Sequence, residues 1–140
     1  MRPWPFLLAV LLLSGGCGKP YQLAPVAGKV TLDGQPLTGA WVHFAPMATE
    51  RNIAPGPTSH GQTDAEGRFT LRVSPEEAGA VVGKNRVFIT TLQEGKSDQP
   101  DAGVKAPRDR VPRKYNQETT LVFEVPAGGT DQANFALTSR

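Results

Sequence analysis

Few side chains in this sequence have chemistry to offer. His43 and His60 are the only histidines, and Tyr21 and Tyr115 the only tyrosines. That inventory matches the ligand types of a two-histidine, two-tyrosine non-haem iron site. No His-x-His pair sets two imidazoles along one strand, however, and a ligating histidine needs a partner on its second nitrogen that the sequence does not single out. Zinc fares no better, because there is no His-x-x-Glu, no second cysteine and no ligand spacing of the usual kind. Calcium takes about six to eight oxygens, more than Asp64, Glu66 and their carbonyls offer, and a turn explains the same residues. Gly-x-Ser-x-Gly is absent, which argues against a hydrolase with a nucleophile elbow. No catalytic residue, metal or cofactor is assigned.

Two surface features remain. Trp41 and His43 share one face of a strand, opposite Val42 and Phe44. They form either an outward aromatic and imidazole platform for a sugar or a protein partner, or a pair in which Trp41 packs beneath a long loop with His43 beside it. Lys105, Arg108, Arg110, Arg113 and Lys114 crowd one stretch against a single acid, Asp109. That stretch reads as a basic contact for anionic polysaccharide or lipid headgroups, or as a loop kept soluble by its charge. It has no interleaved aromatics on which bases would stack, so nucleic acid is not an expected partner.

The remaining reactive group is Cys17. Ahead of it, Met1 to Gly16 has the layout of an export signal: Arg2 supplies charge, Phe6 to Leu13 is unbroken apolar, and Ser14-Gly15-Gly16 is small. The apolar run is far short of the roughly 20 residues of a membrane-spanning helix. Leu13-Ser14-Gly15-Gly16-Cys17 resembles a lipobox, in which the cysteine sulfur is acylated before the signal is cut away. The leucine stands one place further back than usual, with Ser14 in its stead. One cysteine in 140 residues allows no intrachain disulfide. Removal of the signal leaves 14 basic against 13 acidic side chains, too even a balance to imply a polyanionic partner.

These groups need elements to position them, and the pattern beyond Cys17 predicts strands. Prolines and glycines, thirteen and fifteen in the whole chain with all but two of each beyond Cys17, punctuate short alternating runs, and no stretch there keeps helical spacing over three turns. Gly28, Val30 and Leu32 share one face of a first strand that Asp33-Gly34 turns back. Val42 and Phe44 point inward from a second, and a short third lies near His60 to Thr63. After the Asp64 to Gly67 turn, with Gly67 left-handed, Phe69, Leu71 and Val73 alternate inward. Arg86 to Leu92 carries Val87 and Ile89. Leu121, Phe123 and Val125, then Ala133, Phe135 and Leu137, complete seven strands. Residues 45–59 and 93–112 are long loops. Seven short strands without a covering helix predict an all-β, antiparallel sandwich.

Val26 to Ala40, followed by Val42, Phe44 and Pro46, resembles the opening of carboxypeptidase-regulatory-like domains. Gly61 to Leu71 is similar to their T-D-x-x-G-x-F turn and strand. Pro112 to Asn116, Thr119 to Leu121 and Asn134 to Leu137 resemble later parts of small lipoproteins built on this domain. The resemblance implies a transthyretin-like, prealbumin-type sandwich and a non-catalytic interaction module. Intradiol dioxygenases share a related sandwich, so a metal-dependent or hydrolytic enzyme is the alternative. The chain's Leu-Thr-Ser-Arg ending departs from the Tyr-Arg-Gly-Ser of the transthyretin-related hydrolase. Related surface domains can carry a Lys–Asn isopeptide bond, but alternation places Lys29 and Asn134 on solvent faces.

The expected organisation is a signal peptide over residues 1–16, a lipidated cysteine and tether over 17–25, and a sandwich domain over 26–140. The expected location is the cell envelope, with the lipid on Cys17 in the membrane and an envelope protein or polysaccharide as partner. Gly18 lacks the aspartate associated with inner-membrane retention, which favours the outer membrane or cell surface.

Overall fold

Alternation and turn chemistry shape the chain into strands that meet through one apolar core. The computed structural model describes residues 20–92 and 108–140, and these contain ten strands and one 3-10 turn. In chain order they are β1 (Leu23–Ala24), β2 (Ala27–Leu32), β3 (Gln35–Pro36), β4 (Trp41–Pro46), β5 (Ser59–Gln62), β6 (Arg68–Thr70), β7 (Ala80–Val81), β8 (Gly83–Thr90), β9 (Val122–Val125) and β10 (Phe135–Leu137). The 3-10 turn spans Arg113–Tyr115. The chain is all-β. One four-stranded sheet runs β5-β4-β8-β9, a second gathers β10, β3 and β6 around β2, and β1 pairs with β7. No helix among the described residues is long and apolar enough to cross a membrane.

The two larger sheets bury a common core, an arrangement consistent with a β-sandwich. Val42, Phe44, Val87 and Ile89 reach it from one sheet and Val30, Phe69 and Leu137 from the other, all buried. Four phenylalanines join the sheets across that core. The Phe44 ring lies 5.6 Å from Phe123 and 6.1 Å from Phe135, and Phe135 stacks on Phe69 at 6.3 Å. Such offset and edge-on contacts add to the area buried by each ring.

Local chemistry fixes the turns. Asp33 and Gly34 both have positive φ, 51° and 82°, as a two-residue hairpin between β2 and β3 requires. The Asp64 carboxylate accepts the backbone N–H groups of Glu66 and Arg68, each at 2.9 Å, with Gly67 at φ 76°. Those donors hold the carboxyl of Asp64 below its usual range against a smaller opposing effect of burial. A turn therefore accounts for these acids.

The reading needs four corrections. Ten strands form where seven are expected, because β1, β3 and β7 are two residues long and too short to leave an alternating signature. The sheets are not wholly antiparallel: β10 runs parallel to β2, with Phe135 beside Val30. The strand drawn through Val73 ends at Thr70. There the chain changes sheets: the Leu71 N–H donates to the carbonyl of Val26, just ahead of β2, while Arg72 exchanges two backbone hydrogen bonds with His60 in the other sheet. Leu23 and Ala24, assigned from the sequence to the tether, pair instead with β7.

Candidate functional site

The site is built on β4 and its neighbours. Thr63 is buried; its hydroxyl donates to the Leu37 carbonyl at 2.6 Å and accepts the Ala40 N–H at 2.8 Å. That clamp fixes the residue before Trp41 and so the start of β4. Along β4, Val42 and Phe44 are buried while Trp41 and His43 are half-buried on the opposite face. On β5, His60 stands directly opposite His43 and Gln62 opposite Trp41. On β8, Phe88 stands opposite His43 from the other side. Facing residues on adjacent strands project to the same side of a sheet.

Trp41, His43 and His60 form a cluster on this outer face. The rings of Trp41 and His43 stack with centroids 6.4 Å apart, Trp41 lies 6.0 Å from His60, and the two imidazoles are 6.2 Å apart and tilted by 38°. His60 is exposed, whereas Nε2 of His43 is buried. The cluster offers a flat aromatic surface with imidazole hydrogen-bonding groups, suited to contact through ring faces.

The basic stretch divides differently. Arg110 donates to the Thr38 carbonyl, and Arg113 pairs with Glu118 at 3.5 Å, both side chains largely exposed. Lys114 donates to the Thr138 hydroxyl at 3.1 Å and to the Arg140 carbonyl, and lies 5.0 Å from the Tyr115 ring centre. Arg108 is exposed. Three of these cations thus hold separate neighbours within the fold. Lys105 lies outside the described residues, as do Cys17, the residues read as an export signal and most of the 93–112 loop.

The two tyrosines do not join the histidines. The Tyr21 hydroxyl donates to Glu77 at 3.4 Å, and the Tyr115 hydroxyl accepts the Thr138 N–H at 3.0 Å. The hydrogen bonds from Thr138 hold the Tyr115 phenol below its usual range. No group of three or more His, Cys, Asp or Glu is placed to hold a metal ion among the described residues. Lys29 is exposed, and its backbone N–H donates to the Asn134 side-chain oxygen at 3.0 Å, so Asn134 extends the pairing of β2.

Sequence reasoning missed two members of the face. His60 was assigned to a strand, but the 12 residues between β4 and β5 hide its register against His43. Phe88 carried a usable signal: if Val87 and Ile89 point inward, the aromatic between them points out.

No family model matches the chain, and no curated protein matches it. Among solved structures, the crystal structure of a 9R-lipoxygenase from Cyanothece PCC8801 matches with a TM-score of 0.36 and 17% identity. The match covers 84% of this chain and 16% of the lipoxygenase. A likeness at that level carries no argument about activity.

Proposed function

We propose that this chain is a non-catalytic module of the cell envelope, anchored through lipid on Cys17, which binds an envelope protein or polysaccharide on the outer face of the β5-β4-β8-β9 sheet. The observation that carries the reading is the Trp41, His43 and His60 cluster, held on paired strands. Large amphipathic rings give contact area at a low cost in conformational entropy. The prealbumin-type resemblance and the small residues ahead of Cys17 support the same assignment.

Two measurements test it. Cys17→Ser should move the protein from the membrane fraction to the soluble fraction; retention on the membrane overturns the anchor. Immobilised full chain should retain components of a solubilised envelope that a Trp41→Ala, His60→Ala double variant does not. Equal retention by both overturns the binding face.

A further inference from the structure

The sheet brings together two imidazoles that no spacing along the chain reveals. His43 and His60 are directly paired residues on antiparallel β4 and β5, so both side chains rise from the same face. Their ring centres are 6.2 Å apart. A metal bound at about 2.0–2.1 Å from an imidazole nitrogen sits about 3 Å from the ring centre, so two imidazoles on one tetrahedral ion lie about 5 Å apart. A rotamer adjustment of the exposed His60 covers the remaining difference of about 1 Å.

The surroundings suit a borderline-soft cation. Trp41 flanks both imidazoles, at 6.4 and 6.0 Å, and Phe88 stands across from His43. Trp41 thus lines one side of the pair and leaves the exposed His60 able to turn. Arg72 is bridged to His60 through the backbone, but its guanidinium is drawn to the Pro75 carbonyl at 2.7 Å. Nε2 of His43 is buried, so an ion enters past the exposed His60 and binds His43 either through its other nitrogen or by turning the ring to uncover Nε2.

We propose that His43 and His60 chelate one divalent transition-metal ion of the kind that prefers imidazole, Ni²⁺, Cu²⁺ or Zn²⁺. The protein supplies two nitrogens, and water or an outside ligand fills the other positions. The pair stands on β4–β5 geometry alone and does not depend on lipid anchoring or an envelope partner.

Ni²⁺ alone is the probe, titrated into the chain with Trp4 replaced by Phe, so that Trp41 is the only indole whether or not residues 1–16 are removed. Trp41 emission should be quenched saturably at one equivalent, and Ni²⁺ should raise the melting temperature. His60→Gln, a change at an exposed position, should weaken the affinity by about tenfold or more and abolish the melting shift. The proposal is overturned if the parent chain shows no saturable quenching or if His60→Gln titrates like the parent. Neither result bears on the Cys17→Ser fractionation that tests the anchor, and Trp41→Ala tests retention without removing either imidazole.

Discussion

The carboxylate of Asp109 accepts both the backbone N–H and the hydroxyl of Thr91, each at 2.8 Å, across 18 residues of chain. The same carboxylate takes the Thr90 hydroxyl, the Val111 N–H at 2.9 Å and the Asn116 amide at 3.2 Å. Asp109 therefore ties the segment after residue 107 to the end of β8, at Thr90, the strand residue that faces Trp41. Asp109→Ala leaves those donors without their acceptor and should lower stability by about 2 kcal/mol. Urea unfolding of the two chains measures it, and an unchanged midpoint would show that water replaces the carboxylate at no cost.

Acid should weaken the fold through three carboxylates. Hydrogen bonds from the Ser139 hydroxyl and N–H hold Asp33 below its usual range, and the turn donors do the same for Asp64. For Asp109, burial pushes upward, but the bonds from Thr90, Thr91 and Val111 outweigh it. Each group is thus more acidic folded than unfolded, where an aspartate titrates near about 3.9. Below that value the unfolded chain binds more protons, so acid favours unfolding. The contribution is complete above about pH 5 and is lost as pH falls through the folded values. Urea midpoints should fall as pH drops below about 4, and Asp109→Asn should make that fall shallower.

Most of the fold was legible because it follows from period and turn chemistry. Val42 and Phe44 inward with Trp41 and His43 outward is a statement about alternation, and Asp33-Gly34 is a statement about positive φ. Cross-strand partners are another matter. Nothing in the spacing of His43 and His60 says that a 12-residue excursion returns them face to face, because register after a long loop is set by the core and not by the turn. Asp109 was hidden for a related reason: among basic neighbours it read as a stray acid, and its partners Thr90 and Thr91, at and just past the end of β8, lie 19 and 18 residues earlier across a long loop.

Gly61 shows how closely that register is held. It sits between His60 and Gln62 with its Cα against the crossing backbone, and an added Cβ would lie 2.2 Å from the Thr70 carbonyl oxygen. A backbone atom cannot step aside as a side-chain tip can. Gly61→Ala should therefore cost about 3 kcal/mol or more and weaken binding by the outer face together with stability. A thermal melt within a degree or two of the parent would mean that β5 is free to shift.

Trp41 and Phe44 lie three residues apart on one strand and face opposite ways, which allows scaffold and contact surface to be separated. Phe44 is wholly buried against Phe123 and Phe135, and Phe44→Ala should cost about 3–5 kcal/mol through lost burial and an unfilled cavity. Trp41 is half-buried on the outer face, so Trp41→Ala forfeits part of one ring's burial, about 1–2 kcal/mol. If the outer face serves a partner, Trp41→Ala removes envelope retention while the chain stays folded. If Trp41→Ala instead destabilises as much as Phe44→Ala, the tryptophan is a core residue in effect and the binding face must lie elsewhere. Thermal denaturation of the two variants, run beside the retention assay, separates these outcomes.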